Sequence, residues 1–264
     1  MSSSLIFDFD GVLTKVGMKE KLQTKCIAEL AELSEKPFDE VLKDYNIAKE
    51  HVFANPTKFG WMQDNKIIVD FVDEDPFGEI IGTMHRMEET GYNKAIKSRY
   101  GSVEALQYNN FKQTYSHDNV EMVHNIAESL KAACEVFDLV SILTNSDPSK
   151  VSKFMEKYNT GVSVSGFAMK HYVKPHSIEE LPEYINIEGR NVAIQRPEYF
   201  KGLKALEKDR TIMIGDSFSI DLALPFAMGY EIVLKENDYT ANWSKRFVGE
   251  KGTVINDLMQ ASKL

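Results

Sequence analysis

The stretch Leu5-Ile-Phe-Asp-Phe-Asp-Gly-Val-Leu-Thr14 decides how the rest of the chain is interpreted. Its apolar run predicts a short buried strand from Ser4 to Phe9. Two carboxylates, Asp8 and Asp10, stand where this run ends, and residues two apart in an extended segment lie on the same face. Gly11 follows them, which is typical of a turn. The stretch therefore predicts a central strand whose end carries two acidic groups.

Two later stretches repeat this design of an apolar strand followed by polar groups. Ile142-Leu-Thr-Asn145 ends a predicted strand from Phe137 to Thr144. Ile212-Met-Ile-Gly-Asp-Ser217 ends a predicted strand from Arg210 to Ile214, and Asp221 follows four residues later. A single cluster of this kind is explained by a cap or a turn. Three clusters at the ends of parallel strands meet at one edge of a sheet, which favours a functional site.

The arrangement of helices and strands predicts the fold class and two domains. Residues 17–117 are rich in Lys, Glu, Leu, Ala and Met at three-to-four spacing, which predicts several helices. From residue 118 onward, strands alternate with helices, which predicts a parallel sheet covered on both faces. We therefore expect an α/β fold: a Rossmann-like parallel-sheet core of residues 1–16 and 118–264, with an all-helical cap domain, 17–117, inserted after the first strand. An insertion at the carboxyl end of that strand would cover the ligand crevice like a lid.

Composition excludes several classes of protein. The chain has 264 residues, 43% of them hydrophobic, with 31 Lys and Arg against 40 Asp and Glu and a net charge of −9. This balance excludes a disordered chain and argues against nucleic acid as a partner. The N-terminus lacks the pattern of a signal peptide, and no apolar stretch approaches the length of a membrane span. Two cysteines predict no disulfide framework. We therefore expect a cytoplasmic protein with no membrane partner.

Four carboxylates are predicted to converge at the sheet edge, namely Asp8, Asp10, Asp216 and Asp221. Like charges this close cannot all stay ionised unless a cation lies among them. Oxygen ligands without His or Cys select a hard ion, and Mg²⁺ fits best because it also keeps a phosphate oxygen in its shell. The hydroxyl of Thr144 and the N–H groups of neighbouring turns would complete a phosphate cradle.

Taken together, the three motifs resemble those of the haloacid dehalogenase superfamily. The resemblance covers the core, and Ala227-Met-Gly229 is similar to the small-residue ending that follows the family's last motif. The inserted segment resembles the family's cap domains only in its position and helical character. The resemblance thus implies a fold of the same type as the one predicted from the pattern of strands and helices.

The resemblance implies a role for each motif residue. Asp8 would attack phosphorus and form an aspartyl-phosphate. Asp10 would protonate the leaving alcohol and then activate water, and Thr144 would bind phosphate oxygens together with the backbone N–H of Asn145. The implied Mg²⁺ ligands are Asp8, the backbone carbonyl of Asp10 and Asp216. Asp221 would act on the ion indirectly or as an alternative ligand.

One position departs from the family pattern. Such enzymes carry a Lys or Arg, often followed by Pro, that pairs with the nucleophile and the phosphate. Arg196 in Gln195-Arg-Pro-Glu-Tyr-Phe200 is the first candidate, although its spacing is one or two residues short of the usual Lys-Pro-x-Pro pattern. Lys174, before Pro175, is the competing candidate. A third interpretation makes Arg196 a solvated residue at a helix start.

The second aspartate helps to choose among functions. Dehalogenases of this superfamily lack it, and phosphonate cleavage uses a small residue at that position, so Asp10 favours phosphate chemistry. We expect an Mg²⁺-dependent phosphatase that hydrolyses a small phosphorylated metabolite. The alternatives are a phosphomutase resembling β-phosphoglucomutase and a non-catalytic protein that binds phosphate or metal.

Overall fold

The structure is a computed structural model that describes residues 2–15, 17, 19–55, 58–59, 61–63, 66–69, 72–114 and 120–264. Contacts within the chain divide it into two compact units, Met1–Lys15 with Glu121–Leu264, and Val16–Val120. We call the first the sheet unit and the second the helical unit. The cap boundary expected at residues 117 and 118 lies outside the described residues.

The strands of the described residues are numbered in chain order. They are β1 (Ser3–Phe7), β2 (Trp61–Gln63), β3 (Lys66–Val69), β4 (Leu139–Leu143), β5 (Ser163–Ser165), β6 (Tyr184–Ile187), β7 (Arg190–Ala193), β8 (Arg210–Gly215), β9 (Glu231–Lys235) and β10 (Thr253–Ile255).

The α-helices of the described residues are numbered in the same way. They are α1 (Lys19–Ser34), α2 (Phe38–Ala54), α3 (Pro76–Met87), α4 (Asn93–Arg99), α5 (Val103–Thr114), α6 (Ile126–Val136), α7 (Pro148–Glu156), α8 (Pro197–Leu206), α9 (Ala223–Ala227) and α10 (Asn242–Lys251). Short π-helical turns span Glu88–Tyr92 and Phe218–Leu222, and a 3₁₀ helix spans Leu258–Lys263. Among the described residues, no helix is both long enough and apolar enough to cross a bilayer.

The sheet unit is built on six parallel strands in the order β10-β9-β8-β1-β4-β5. The predicted α/β class with a parallel sheet is confirmed. The apolar side chains of β1 are buried completely, as expected for a central strand with both faces covered. In the register, Phe7 pairs with Ile142 of β4 and with Ile214 of β8. The carboxyl ends of these three strands therefore lie side by side, where the chain reverses its direction across the sheet.

The helical unit has a hydrophobic core of its own, formed by side chains such as Leu30, Tyr45 and Met84. It also contains an antiparallel pair of strands, β2 and β3. The prediction of an all-helical insertion is wrong at this point. The strand β3 carries the sequence Lys-Ile-Ile-Val, whose β-branched residues favour an extended backbone over a helix.

A second hairpin, β6–β7, lies in a stretch of the sheet unit that the sequence patterns left unassigned. Its two turn residues, Glu188 and Gly189, both have positive φ angles of 51° and 83°. A two-residue turn of this kind matches the twist of the strands that it joins. The glycine between two short stretches in which apolar and polar residues alternate was the signal for it in the sequence.

Candidate active site

The site is built around Asp8, the first residue after the central strand β1. Its N–H donates to the carbonyl of Ile214 in the neighbouring strand, 2.9 Å away, which continues the sheet ladder and fixes the backbone. Its carboxylate is nearly buried, and Oδ1 accepts a hydrogen bond of 2.6 Å from Nζ of Lys170. Asp8 is therefore a rigidly held carboxylate paired with a buried lysine.

Asp221 shares this lysine and is held by the turn after β8. Its Oδ1 accepts from Lys170 Nζ at 2.8 Å. Its Oδ2 lies 3.3 Å and 3.2 Å from the donating N–H groups of Asp216 and Ser217. This arrangement requires glycine at residue 215, because a Cβ there would lie 2.3 Å from Cβ of Asp221.

Asp216 is half-buried, and the first turn of the chain approaches it closely. Its Oδ2 accepts a hydrogen bond of 3.0 Å from Nδ2 of Asn237, a residue of the loop after β9. Gly11 has a φ of +78°, and a Cβ at that residue would lie 1.8 Å from Oδ2 of Asp216. Only glycine lets the backbone of the first motif come this near to the carboxylate of the last one.

The loop after β4 begins at Thr144, and its residue Ser146 contacts both Thr144 and Asp10. Oδ2 of Asp10 accepts a hydrogen bond of 2.9 Å from the hydroxyl of Ser146. Thr144 is fully buried, and its Oγ1 accepts from the N–H of Ser146 at 3.1 Å. The structure thus brings residues of all three predicted clusters to one edge of the sheet. The side chain of Asn145, in contrast, turns toward the loop of Lys170, where its Oδ1 accepts from the N–H of that lysine at 2.8 Å.

The lysine beside Asp8 corrects the sequence analysis. The basic residue paired with Asp8 is Lys170, whereas Arg196 and Lys174 were the candidates for that contact. Arg196 is fully buried, with Nη1 donating to the carbonyl of Ile220 at 2.8 Å, so it is not a solvated helix-start residue either. Lys174 is exposed, and its N–H donates to the carbonyl of Gln195.

Lys170 was missed because its neighbourhood has no local signature. It follows β5 in a stretch with neither helical nor alternating periodicity, and Asp8 lies 162 residues away in the chain. The contact that gives the lysine its place is purely tertiary. A single weak signal existed: a lysine that directly follows three apolar residues, in Phe167-Ala-Met-Lys170, after the strand that follows the second motif.

An aromatic residue supports the lysine and Asp221 together. Tyr199 of α8 is fully buried, and its hydroxyl donates to the carbonyl of Asp221 at 2.6 Å. Nζ of Lys170 lies 5.3 Å from the centre of the Tyr199 ring, within the range of a cation–π contact. Tyr199 of α8 therefore contacts both Asp221 and Lys170 from behind the site.

The electrostatics of the site follow from burial and charge pairing. Burial raises the pKa of Asp8 to about 7, against the charge of Lys170, which lowers it, while Asp221 and Asp10 raise it further. Burial by itself would lower the pKa of Lys170, but Asp221 and Asp8 outweigh it and raise that pKa above its ordinary value. The lysine is therefore held as a cation beside Asp8 and Asp221.

Three carboxylates of the site could hold a cation together. One oxygen each from Asp8, Asp216 and Asp221 lies within 4.8 Å of the others. The single charge of Lys170 cannot neutralise three such groups, and oxygen donors are the ligands that Mg²⁺ prefers. The residues present therefore fit a magnesium ion. Asp10 does not belong to this group of three through its side chain, which is hydrogen-bonded to Ser146.

The comparisons with known proteins identify the fold. No protein-family model matches the chain, and a search of curated protein sequences also gives no match. Among solved structures, the chain is similar to a HAD phosphatase of Thermococcus onnurineus, with 13% identity over 100% of this chain and 97% of that one and a TM-score of 0.51.

Two further solved structures match over nearly the whole chain. YfnB of Bacillus subtilis, described as a HAD hydrolase and bound to magnesium, has 14% identity over 98% of this chain and 96% of that one, with a TM-score of 0.50. A predicted phosphoglycolate phosphatase of Haemophilus somnus has 15% identity over 99% and 97%, with a TM-score of 0.50. At these identities the similarity establishes the fold: the chain has the fold of the haloacid dehalogenase superfamily.

Proposed function

We propose that this chain is a member of the haloacid dehalogenase superfamily and a Mg²⁺-dependent phosphatase. The observation that carries the proposal is the grouping of Asp8, Asp216 and Asp221 with a buried lysine, and with Asp10 two residues after Asp8. A sheet of this topology collects such groups at its carboxyl edge. The fold shared with HAD phosphatases supports the same reading. The proposed substrate is a small phosphorylated metabolite.

Magnesium would be held by carboxylate oxygens of Asp8 and Asp216, with Asp221 as a further or indirect ligand. When bound, the ion neutralises the phosphate and offsets the repulsion between phosphate and carboxylates. The magnesium reported for the related fold of YfnB supports this choice of metal. Asp221 is already hydrogen-bonded to Lys170 and to two backbone N–H groups, which favours the indirect role for it.

The chain's own residues supply the chemistry in two steps. An oxygen of Asp8 attacks phosphorus and forms a P–O bond as the bond to the leaving alcohol breaks, and Asp10 donates a proton to that alcohol. A water molecule then gives a proton back to Asp10 and attacks the phosphorus, which releases phosphate and restores the Asp8 carboxylate. Lys170 orients Asp8 and offsets negative charge on the phosphate oxygens. The hydroxyl of Ser146 holds Asp10 in place.

Two other functions are alternatives to the phosphatase. A phosphomutase would use the same first step and transfer the phosphoryl group back to a second hydroxyl of a sugar. A non-catalytic binding protein would need neither Asp8 as a nucleophile nor Asp10 as an acid. The presence of both Asp8 and Asp10 favours the phosphatase over the non-catalytic protein, because binding alone would need neither a nucleophile nor an acid.

The first experiment measures phosphate release from an aryl phosphate with Mg²⁺ and with EDTA. We expect release by the native protein with Mg²⁺, and a loss of more than about 1,000-fold for Asp8→Asn, because an amide cannot replace the nucleophile. Asp39→Asn, an exposed position at the start of α2, is the matched control and should keep full activity. Equal release by Asp8→Asn and the native protein would contradict the proposal.

A second measurement separates the alternatives if no release is seen. Beryllium fluoride mimics an aspartyl-phosphate, and its binding to the native protein in the presence of Mg²⁺ can be followed by ¹⁹F NMR. Binding that Asp8→Asn abolishes would favour a mutase or a phosphatase with strict substrate choice. Absence of binding would favour the non-catalytic protein.

A further inference from the structure

Both polar atoms of the Asn145 side chain contact the loop that carries Lys170. Its Oδ1 accepts a hydrogen bond of 2.8 Å from the N–H of Lys170, and its Nδ2 lies 3.0 Å from Nδ1 of His171. Since Oδ1 is the acceptor, Nδ2 must be the donor to the histidine ring. Both polar atoms of the amide therefore face the chain itself.

The same loop has further anchors on either side of Asn145. The N–H of Phe167 donates to the carbonyl of Ser146 at 3.2 Å, and the N–H of Ala168 donates to the carbonyl of Thr144 at 2.9 Å. Each of three successive residues, 144 to 146, thus accepts one N–H from the loop 167–170. This set of contacts works as a clamp between the second motif and the lysine loop.

The loop backbone needs such a clamp because it is strained. Phe167 and Met169 have positive φ angles of 52° and 51°, although neither is Gly, Asn or Asp. A left-handed conformation is unfavourable for an ordinary residue, and it persists only where surrounding contacts enforce it. The two strained residues are exposed, and Ala168 and Lys170 between and after them are buried. The two residues with positive φ thus alternate with two buried ones, the second of which, Lys170, contacts Asp8.

We propose that Asn145 is a positioning residue whose side chain holds the strained loop 167–171, so that Lys170 is placed between Asp8 and Asp221. The inference rests on the proposed function for its consequence in catalysis, but its structural part stands on the contacts alone. It adds to the backbone role expected for Asn145 from the sequence. In this account the Asn145 side chain acts on the reaction only through Lys170.

The structural part is tested by amide hydrogen exchange in Asn145→Ala. Loss of two hydrogen bonds should speed exchange at residues 167–171 by about 10-fold or more, with other amides of the sheet unit unchanged. The matched control is Asn186→Ala, because Asn186 also accepts from a backbone N–H, that of Gly189, and donates to a side chain, that of Asn191. Exchange at 167–171 that is no faster in Asn145→Ala than in Asn186→Ala would overturn the proposal.

The catalytic part is tested by a double-mutant cycle in the aryl phosphate assay. Asn145→Ala should lower kcat by about 10- to 100-fold, because a displaced Lys170 no longer meets Asp8 correctly. In a Lys170→Met background Asn145→Ala should lower kcat no further, because the lysine through which Asn145 affects the reaction is already absent. A full additional loss in that background would show a direct action of Asn145 and contradict the proposal. Asn186→Ala should leave kcat unchanged.

The two measurements separate the two proposals. If the native protein releases no phosphate and binds no beryllium fluoride, the proposed function fails, while the exchange experiment still decides whether Asn145 holds the loop. If exchange is unaffected but phosphate release depends on Asp8, the positioning role fails and the phosphatase stands.

Discussion

At the scale of single residues, Gly11 shows how one missing Cβ joins two motifs. Its positive φ could be borne by another residue at a cost of about 1–2 kcal/mol, but a Cβ 1.8 Å from Oδ2 of Asp216 could not be accommodated in place. Either the first turn or the Asp216 carboxylate would have to move. Because Asp216 is a proposed metal ligand, this displacement should lower the affinity for Mg²⁺ more than it lowers the free energy of unfolding.

We therefore expect Gly11→Ala to weaken Mg²⁺ binding at least about 10-fold, since changes next to a metal ligand that disturb its orientation typically cost about 10- to 100-fold in affinity. Gly189→Ala is the matched control: its φ is +83°, but a Cβ there would meet nothing within 4 Å. Both variants should lose a similar free energy of unfolding from backbone strain, and only Gly11→Ala should lose Mg²⁺, measured by isothermal titration calorimetry. Equal Mg²⁺ affinity in the two variants would refute this explanation of Gly11.

The same scale shows what the sequence could reveal of the site. Asp8, Thr144 and Asp216 were predicted together because each stands directly after a run of apolar residues, which is a local pattern. Lys170 and Asn237 were not, because a residue far away in the chain gives each its place. The sequence therefore predicts site residues that directly follow a strand. It does not predict site residues that lie in loops and are positioned by contacts with distant parts of the chain.

At the scale of elements, the loop after β5 has a backbone that its own sequence disfavours. Tight turns with positive φ are usually built with Gly, Asn or Asp, and Phe167 and Met169 are none of these. This is why the segment looked featureless in the sequence. The hairpin β6–β7, by contrast, does have a glycine in its turn. Its sequence therefore contained a signal for a turn, and the prediction overlooked it.

The strain in this loop predicts an unusual pattern of stabilities. Phe167→Gly should leave the free energy of unfolding unchanged or raise it, because glycine adopts the required φ without cost. Phe167→Val should lower it by about 1–2 kcal/mol, since a β-branched residue tolerates this conformation worst. Urea denaturation gives both values.

The control for this prediction is an exposed aromatic residue in a regular strand. Tyr184 of β6 is 52% exposed, against 62% for Phe167. In a strand the order reverses: Tyr184→Val should be nearly neutral and Tyr184→Gly should be destabilising by about 0.5–1 kcal/mol. If valine and glycine rank in the same order at both positions, the backbone of the loop is not strained as described.

At the scale of the whole molecule, each unit has a hydrophobic core of its own, and the candidate metal ligands all belong to the sheet unit. The broad pattern of the sequence predicted the parallel sheet because strands and helices alternate after residue 118. It did not reveal the hairpin β2–β3, because strands of three and four residues are too short for any periodicity to stand out.

Separate cores predict that magnesium stabilises one unit and not the other. A ligand that binds only the folded sheet unit adds about 2.7 kcal/mol to its stability at 100 times its Kd. Leu30→Ala removes a fully buried side chain from the core of the helical unit, which should cost that unit about 2–5 kcal/mol. In calorimetry we expect this variant to unfold in two transitions, of which Mg²⁺ raises only the upper one.

Leu130→Ala is the matched change in the core of the sheet unit, since Leu130 is also fully buried. In Leu130→Ala the Tm of the transition that responds to Mg²⁺ should itself be lower than in the native protein. Adding Asp216→Asn to either Leu30→Ala or Leu130→Ala should abolish the rise in Tm caused by Mg²⁺. The discriminating quantity is the Mg²⁺-induced rise in Tm, compared between native protein and Leu30→Ala. If Leu30→Ala removes that rise, Mg²⁺ binding requires a folded helical unit. The ligands of the sheet unit would then not explain Mg²⁺ binding by themselves.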